Sequence, residues 1–196
     1  PAHYLIDAKG NIRETHFGEG KYEETERAIQ GLLKEAGEVV TDRVTNQEGY
    51  QISVKTPETY VGYARAERSD SVPAIQKDVL TSYAAPENLS STRWALSGEW
   101  FVAKEYARPT KGATLDFAVE AKDIFLVMRP KTGVSVQVSV LLDGVKQGFG
   151  EDNVGGTVTV ESDRLYHLIH LDQPGKHRLQ LNFESDDVEV YAFTFG

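Results

Sequence analysis

The chain contains no cysteine. Structural disulfides, thiolate nucleophiles and Cys-ligated zinc are therefore excluded from it, while its compartment is left open. Positive charge is scarce: 21 Lys and Arg stand against 30 Asp and Glu, a formal net charge of −9. A nucleic-acid binder needs clustered basic residues, so that class is excluded as a partner. No apolar run approaches the roughly 20 residues that cross a bilayer as a helix. The opening Pro1-Ala2-His3 does not read as the basic-then-apolar start of a signal peptide. Gly148-Phe149-Gly150 and Gly155-Gly156 lack the Lys-Ser/Thr and the strand–helix context of a phosphate loop. Neither a nucleophile elbow nor an EF-hand pattern occurs, and no cofactor is implied.

What is present changes character along the chain. His3–Asp7 and Ile12–Phe17 read as strands around the turn Ala8-Lys9-Gly10-Asn11. From Tyr22 the period lengthens: Tyr22, Thr25, Ala28, Ile29, Leu32, Leu33 and Ala36 form one helical stripe. Glu23, Glu24 and Glu26 suit its amino-terminal dipole, and Gly37 is placed to cap its end. A hairpin and one helix bury too little surface to stand alone. After Gly37 the helical period is gone. Val39–Val44 and Tyr50–Val54 predict short strands, and Ser69–Ser91 predicts a long loop with a helical turn after Pro73. Alternating runs then recur up to Phe195, punctuated by Asp143-Gly144, Gly148-Phe149-Gly150, Asp172-Gln173-Pro174-Gly175 and Ser185-Asp186-Asp187. Many short strands with such punctuation predict a β-sandwich or jelly roll.

Several segments resemble a known family. Pro1 to Ile12, Phe17-Gly18 and the Tyr22–Ala36 helix resemble the end of a thioredoxin-like domain. Thr56–Tyr63, Leu96–Trp100, Arg164–Leu168 and Val188–Phe195 resemble the C-terminal region of DipZ-like thioredoxin-family proteins. Those proteins join a thioredoxin-like domain to a sandwich likened to carbohydrate-binding modules. The resemblance implies a mainly β chain, with a jelly-roll-like sandwich preceded by the ββα C-terminal part of a thioredoxin fold. Residues 1–37 are then the end of the thioredoxin-like domain, 38–58 a connecting segment with short strands, and 59–196 the sandwich. It implies an extracytoplasmic parent, periplasmic or in the cell envelope and either free or membrane-anchored, that exchanges disulfides with redox partner proteins. The parent's Cys-x-x-Cys pair is absent here, so this chain alone is not catalytic. Pro1 falls at the family's cis-proline, where substrate docks. The hairpin and helix expect cover from an amino-terminal thioredoxin portion or from another copy, and Pro1 reads as a break in a longer polypeptide.

The remaining candidates carry two readings each. Trp94, Trp100 and Tyr106, with Tyr63 and Tyr83, offer rings for stacking on a sugar such as a cell-wall glycan; in strands the same indoles fill a core. His167 and His170, if they lie on one regular strand, point to opposite faces and cannot share a metal. Asp143, Glu151, Asp152, Asn153, Asp186 and Asp187 sit in turns, where turn chemistry explains them without calcium.

Overall fold

A computed structural model describes residues 2–17, 22–40 and 56–196. Pro1, and the strands expected within 39–44 and 50–54 apart from Val39 and Val40, lie outside the described residues. The chain divides into two compact units, Pro1–Ile52 and Ser53–Gly196.

In the first unit β1 (Ala2–Ile6) pairs antiparallel with β2 (Ile12–Phe17), and α1 spans Tyr22–Glu35. Asp7 builds the turn: its Oδ1 accepts the N–H groups of Lys9 and Asn11, and Gly10 takes the positive φ the turn requires. The helix ends in a Schellman cap. The Glu38 N–H donates to the Leu33 carbonyl and the Gly37 N–H to that of Lys34, with Gly37 in the left-handed region. Arg13 on β2 donates two hydrogen bonds to Glu35 on α1, at 2.7 and 3.2 Å. No residue of α1 is buried, and Tyr4, Ile6, Ile12, Tyr22, Ile29 and Leu33 are exposed. These elements form as local chemistry dictates, yet they enclose no core of their own.

The second unit is the β-sandwich. Its strands are β3 (Thr59–Tyr60), β4 (Leu80–Tyr83), β5 (Trp94–Val102), β6 (Ala107–Pro109), β7 (Thr114–Pro130), β8 (Val136–Leu142), β9 (Asn153–Val154), β10 (Thr157–Val160), β11 (Arg164–Phe183) and β12 (Val188–Phe195). The first half of β7 pairs with β5 and with the end of β11, which continues through β8, β10 and β9. The second half of β7 pairs with β12 and with the start of β11. The two long strands thus run as one ribbon through both layers. Their corner is visible in the burial pattern. Inward positions on β7 are odd at Leu115, Phe117, Val119 and Ala121, then even at Ile124, Leu126 and Met128. On β11 the ladder skips from His170–Asp123 to Gly175–Ala121, leaving residues 171–174 opposite Lys122. Strands that change layer commonly do so through such irregularities.

The core lies between the layers. Phe117 meets Phe193 edge-on at 5.2 Å, and Trp100 meets Phe183 at the same distance and angle. Trp94 and Trp100 are fully buried, and their indole N–H groups donate to the carbonyls of Glu67 (2.8 Å) and Ser97 (3.0 Å). Three sequence readings need correction. The Ser69–Ser91 stretch contains strand β4, which pairs with β5, and no helical turn follows Pro73. The sequence alternates in two runs, Trp94–Leu96 and Trp100–Tyr106, but they are not separate strands: β5 runs through Gly98, whose positive φ accompanies a change of partner from β7 to β6. The Asp172–Gly175 cluster does not end a strand but turns the corner of β11.

Candidate functional site

On the outer side of the second half of β7, Asp123, Phe125, Val127 and Arg129 alternate with the buried even positions. Beside them stand His167 on β11, opposite Phe125, and Ala192 and Thr194 on β12, opposite Val127 and Phe125. Two features occupy the ends of this face.

The first is a three-residue cluster at the corner. His167 Nε2 lies 2.9 Å and His170 Nδ1 2.6 Å from the same oxygen, Oδ1 of Asp123. The opposite-face expectation for the two histidines therefore fails. Its premise was a regular strand, but β11 bulges at Leu168: His167 pairs with Phe125 and Ile169 with Ile124. One extra residue brings both rings to one side. Burial pushes the Asp123 carboxyl upward, but the hydrogen bonds from His170 and His167 outweigh it and hold the group below the usual carboxylate range.

The bulge is held by residues 149–153, which lead into β9. Asn153 Nδ2 donates to the carbonyl of Leu168 at 3.0 Å, and the His170 N–H donates to the carbonyl of Phe149 at 2.7 Å. Asp152 Oδ2 accepts the His167 N–H at 2.7 Å, while its Oδ1 accepts from Arg164 Nη2, also at 2.7 Å. Phe125 stacks on the His167 ring at 4.3 Å. The backbone of Asp123 is fixed too, since its N–H and carbonyl bond Gly196 in both directions. Among the described residues this is the one group of three His or carboxylate side chains whose ligand atoms converge, all within 4.8 Å of one another. The signal that could have found it is the polar run Gly150-Glu151-Asp152-Asn153, which serves the strand beside it.

The second feature is a cleft of about 430 Å³ lined by Glu58, Tyr60, Arg65, Lys104, Glu105 and Tyr191 among others. The Tyr60 hydroxyl donates to Glu58 at 2.7 Å, and the Arg65 guanidinium covers the Tyr60 ring at 3.3 Å. The Tyr191 hydroxyl donates to Oε2 of the buried Glu189 at 2.9 Å, an oxygen that also accepts from Arg129 Nε at 2.6 Å. Burial, then the bond to Glu189, pushes the Tyr191 phenol well above its ordinary range. The cleft is mostly apolar, with Val127 and Ala192 in its lining, and the Tyr60 and Tyr191 hydroxyls, Glu58 and Arg65 are its positioned polar groups.

The sequence-predicted sugar rings are placed differently. Trp94 and Trp100 present no face to solvent, because each sits on an inward position of β5. Tyr106 is half-buried and tilts against Tyr191 at 5.7 Å, so it backs the cleft. The turn carboxylates serve the fold: Asp143 bonds His177 Nδ1 and the Arg178 N–H, and Asp187 bonds Thr132.

Comparison with known proteins gives a consistent assignment. Residues 56–196 match the family described as the thioredoxin-like C-terminal domain. The whole chain is 27% identical, over 203 aligned positions, to Protein DipZ of Mycobacterium bovis and likewise to Protein DipZ of Mycobacterium tuberculosis. It spans 27% of the length of those relatives. Among solved structures it is similar to a two-domain esterase active on acetylated mannans, co-crystallized with mannopentaose (TM-score 0.41, 11% identity, 87% of this chain and 44% of that one). It is also similar to a family two carbohydrate esterase from Cellvibrio japonicus (TM-score 0.35, 18% identity, 44% of this chain and 24% of that one). With the family match covering most of its length, and DipZ-like relatives aligned from end to end, the chain belongs to the thioredoxin-like C-terminal domain family.

Proposed function

We propose that this chain is the C-terminal portion of an extracytoplasmic thiol–disulfide oxidoreductase of the thioredoxin type, in which the sandwich is an accessory module that positions the redox domain. The observation that carries this reading is the first unit: a correctly turned hairpin and a correctly capped helix whose apolar residues stay exposed. In a thioredoxin fold, earlier strands and helices cover that surface and bring the Cys-x-x-Cys pair that this chain lacks. The parent's membrane anchoring and its redox partners belong to the same proposal. The test is insulin disulfide reduction by dithiothreitol. The chain alone gives the buffer rate, and addition of an amino-terminal thioredoxin portion from a DipZ relative gives a complex that accelerates it. Acceleration by the chain alone, or failure of the two parts to associate, contradicts the reading.

The cleft favours a second role, binding of a cell-wall glycan, because its hydroxyls and ionic groups match sugar hydroxyls. Its Tyr60 ring face is covered by Arg65, so recognition there rests on hydrogen bonding rather than stacking. Calorimetric titration with soluble peptidoglycan fragments separates the roles. Saturable binding abolished by Tyr191→Ala supports the glycan reading, and no heat removes it.

A further inference from the structure

We propose that Asp123, His167 and His170 form a binding site for a zinc-class divalent transition ion. The site is independent of the redox reading, since it lies wholly within the sandwich.

Geometry comes first. Zinc holds nitrogen and oxygen ligands at about 2.0–2.2 Å, which separates neighbouring ligand atoms in a tetrahedron by about 3.3 Å. Here the two histidine nitrogens lie 2.9 and 2.6 Å from Asp123 Oδ1, and all three ligand atoms fall within 4.8 Å. Small side-chain rotations suffice to admit an ion. Donor chemistry narrows the class: two imidazoles suit zinc and its neighbours, whereas calcium and magnesium take oxygen ligands and copper(I) takes sulfur.

The ligands are also held from outside by stacking and by backbone hydrogen bonds. Phe125 fixes the plane of His167, Asp152 fixes its backbone, and Gly196 fixes the backbone of Asp123. Access is one-sided. The side chain of His170 is 53% exposed, against 15% for His167 and 20% for Asp123. An ion bound by these three keeps a fourth position facing solvent, and three protein ligands with one open position is the arrangement of catalytic rather than structural zinc.

The chain supplies its own controls. His177 and Asp143 make a comparable bond at 2.7 Å, but no second histidine joins them. His3 and His16 face each other across the hairpin with ring centroids 6.0 Å apart, without a carboxylate identified between them. The experiment is equilibrium dialysis of the full chain against zinc chloride with metal quantified by mass spectrometry, alongside thermal melts with and without zinc. The expected result is one zinc per chain and a melting midpoint that rises with zinc concentration. His170→Ala and Asp123→Asn each weaken binding at least 10-fold and remove the thermal shift, while His177→Ala and His3→Gln change neither. His170 is exposed, so its variant keeps the fold, which circular dichroism checks. Absence of zinc binding, zinc retained by both ligand variants, or equal uptake of calcium overturns the proposal.

Discussion

A β-carbon at Gly150 would lie 2.3 Å from the carbonyl oxygen of His167. The Gly148–Gly150 run, which lacks the context of a phosphate loop, is thus pressed against the bulge of β11 that gathers the two histidines. Gly150→Ala forces the backbones apart and destabilises the sandwich by roughly 1–3 kcal/mol, the range for overpacking. Urea unfolding measures it, and a neutral Gly150→Ala refutes the close approach.

Gly31 predicts the opposite sign. It lies mid-helix in α1, and nothing approaches its missing side chain within 4 Å. Gly31→Ala therefore strengthens the helix by about 0.5–1 kcal/mol through propensity alone. The helical circular dichroism signal rises, and a loss of helix contradicts the packing described.

Trp94→Ala and Trp100→Ala each cost roughly 3–5 kcal/mol, as expected for a buried ring. Fluorescence of the native chain is blue-shifted and resists iodide. Red-shifted, readily quenched emission contradicts burial of the indoles.

Asp143 sets a pH dependence. Burial pushes its carboxyl upward, but the Arg178 N–H and the His177 ring outweigh burial and hold it below its ordinary value. A depressed folded-state pKa means stability that is present above about pH 4 and lost as pH falls through the folded-state value. Asp143→Asn keeps the left-handed turn backbone, which Asn tolerates, while removing the charge. The stability gap between wild type and variant is therefore full at neutral pH and closes as pH falls through the folded-state value. A gap that widens on acidification contradicts the assignment.

Much of the fold is legible in the sequence because it is written in local periods. The stripe from Tyr22 to Leu33 and the cap at Gly37 place α1 to within a residue, and Ala8-Lys9-Gly10-Asn11 places the hairpin turn, although Asp7, which reads as strand, is the residue that builds it. The corner of the sandwich is not legible. The interval between the runs Ala113–Ala118 and Asp123–Met128, like Asp172–Gly175, reads as a break between strands, yet hydrogen bonding carries β7 and β11 through both. The convergence of His167 and His170 was hidden for the same reason, since a bulge is fixed by distant partners, here Asn153 and Phe149, and leaves no period of its own. Burial of Trp94 and Trp100 stayed open because Gly98 changes the partner of β5 midway.

The central claim is that the hairpin and helix are the end of a thioredoxin fold whose cover comes from earlier strands and helices. Hydrogen exchange followed by mass spectrometry tests it most directly. In the chain alone, amides of 2–17 and 22–40 exchange far faster than those of β7 and β11, because no buried side chains hold α1. Adding the amino-terminal thioredoxin portion of a DipZ relative protects 2–17 and 22–40 and leaves the sandwich unchanged. Protection of these two stretches in the monomeric chain equal to that of the sandwich, with no further change on addition, contradicts the account.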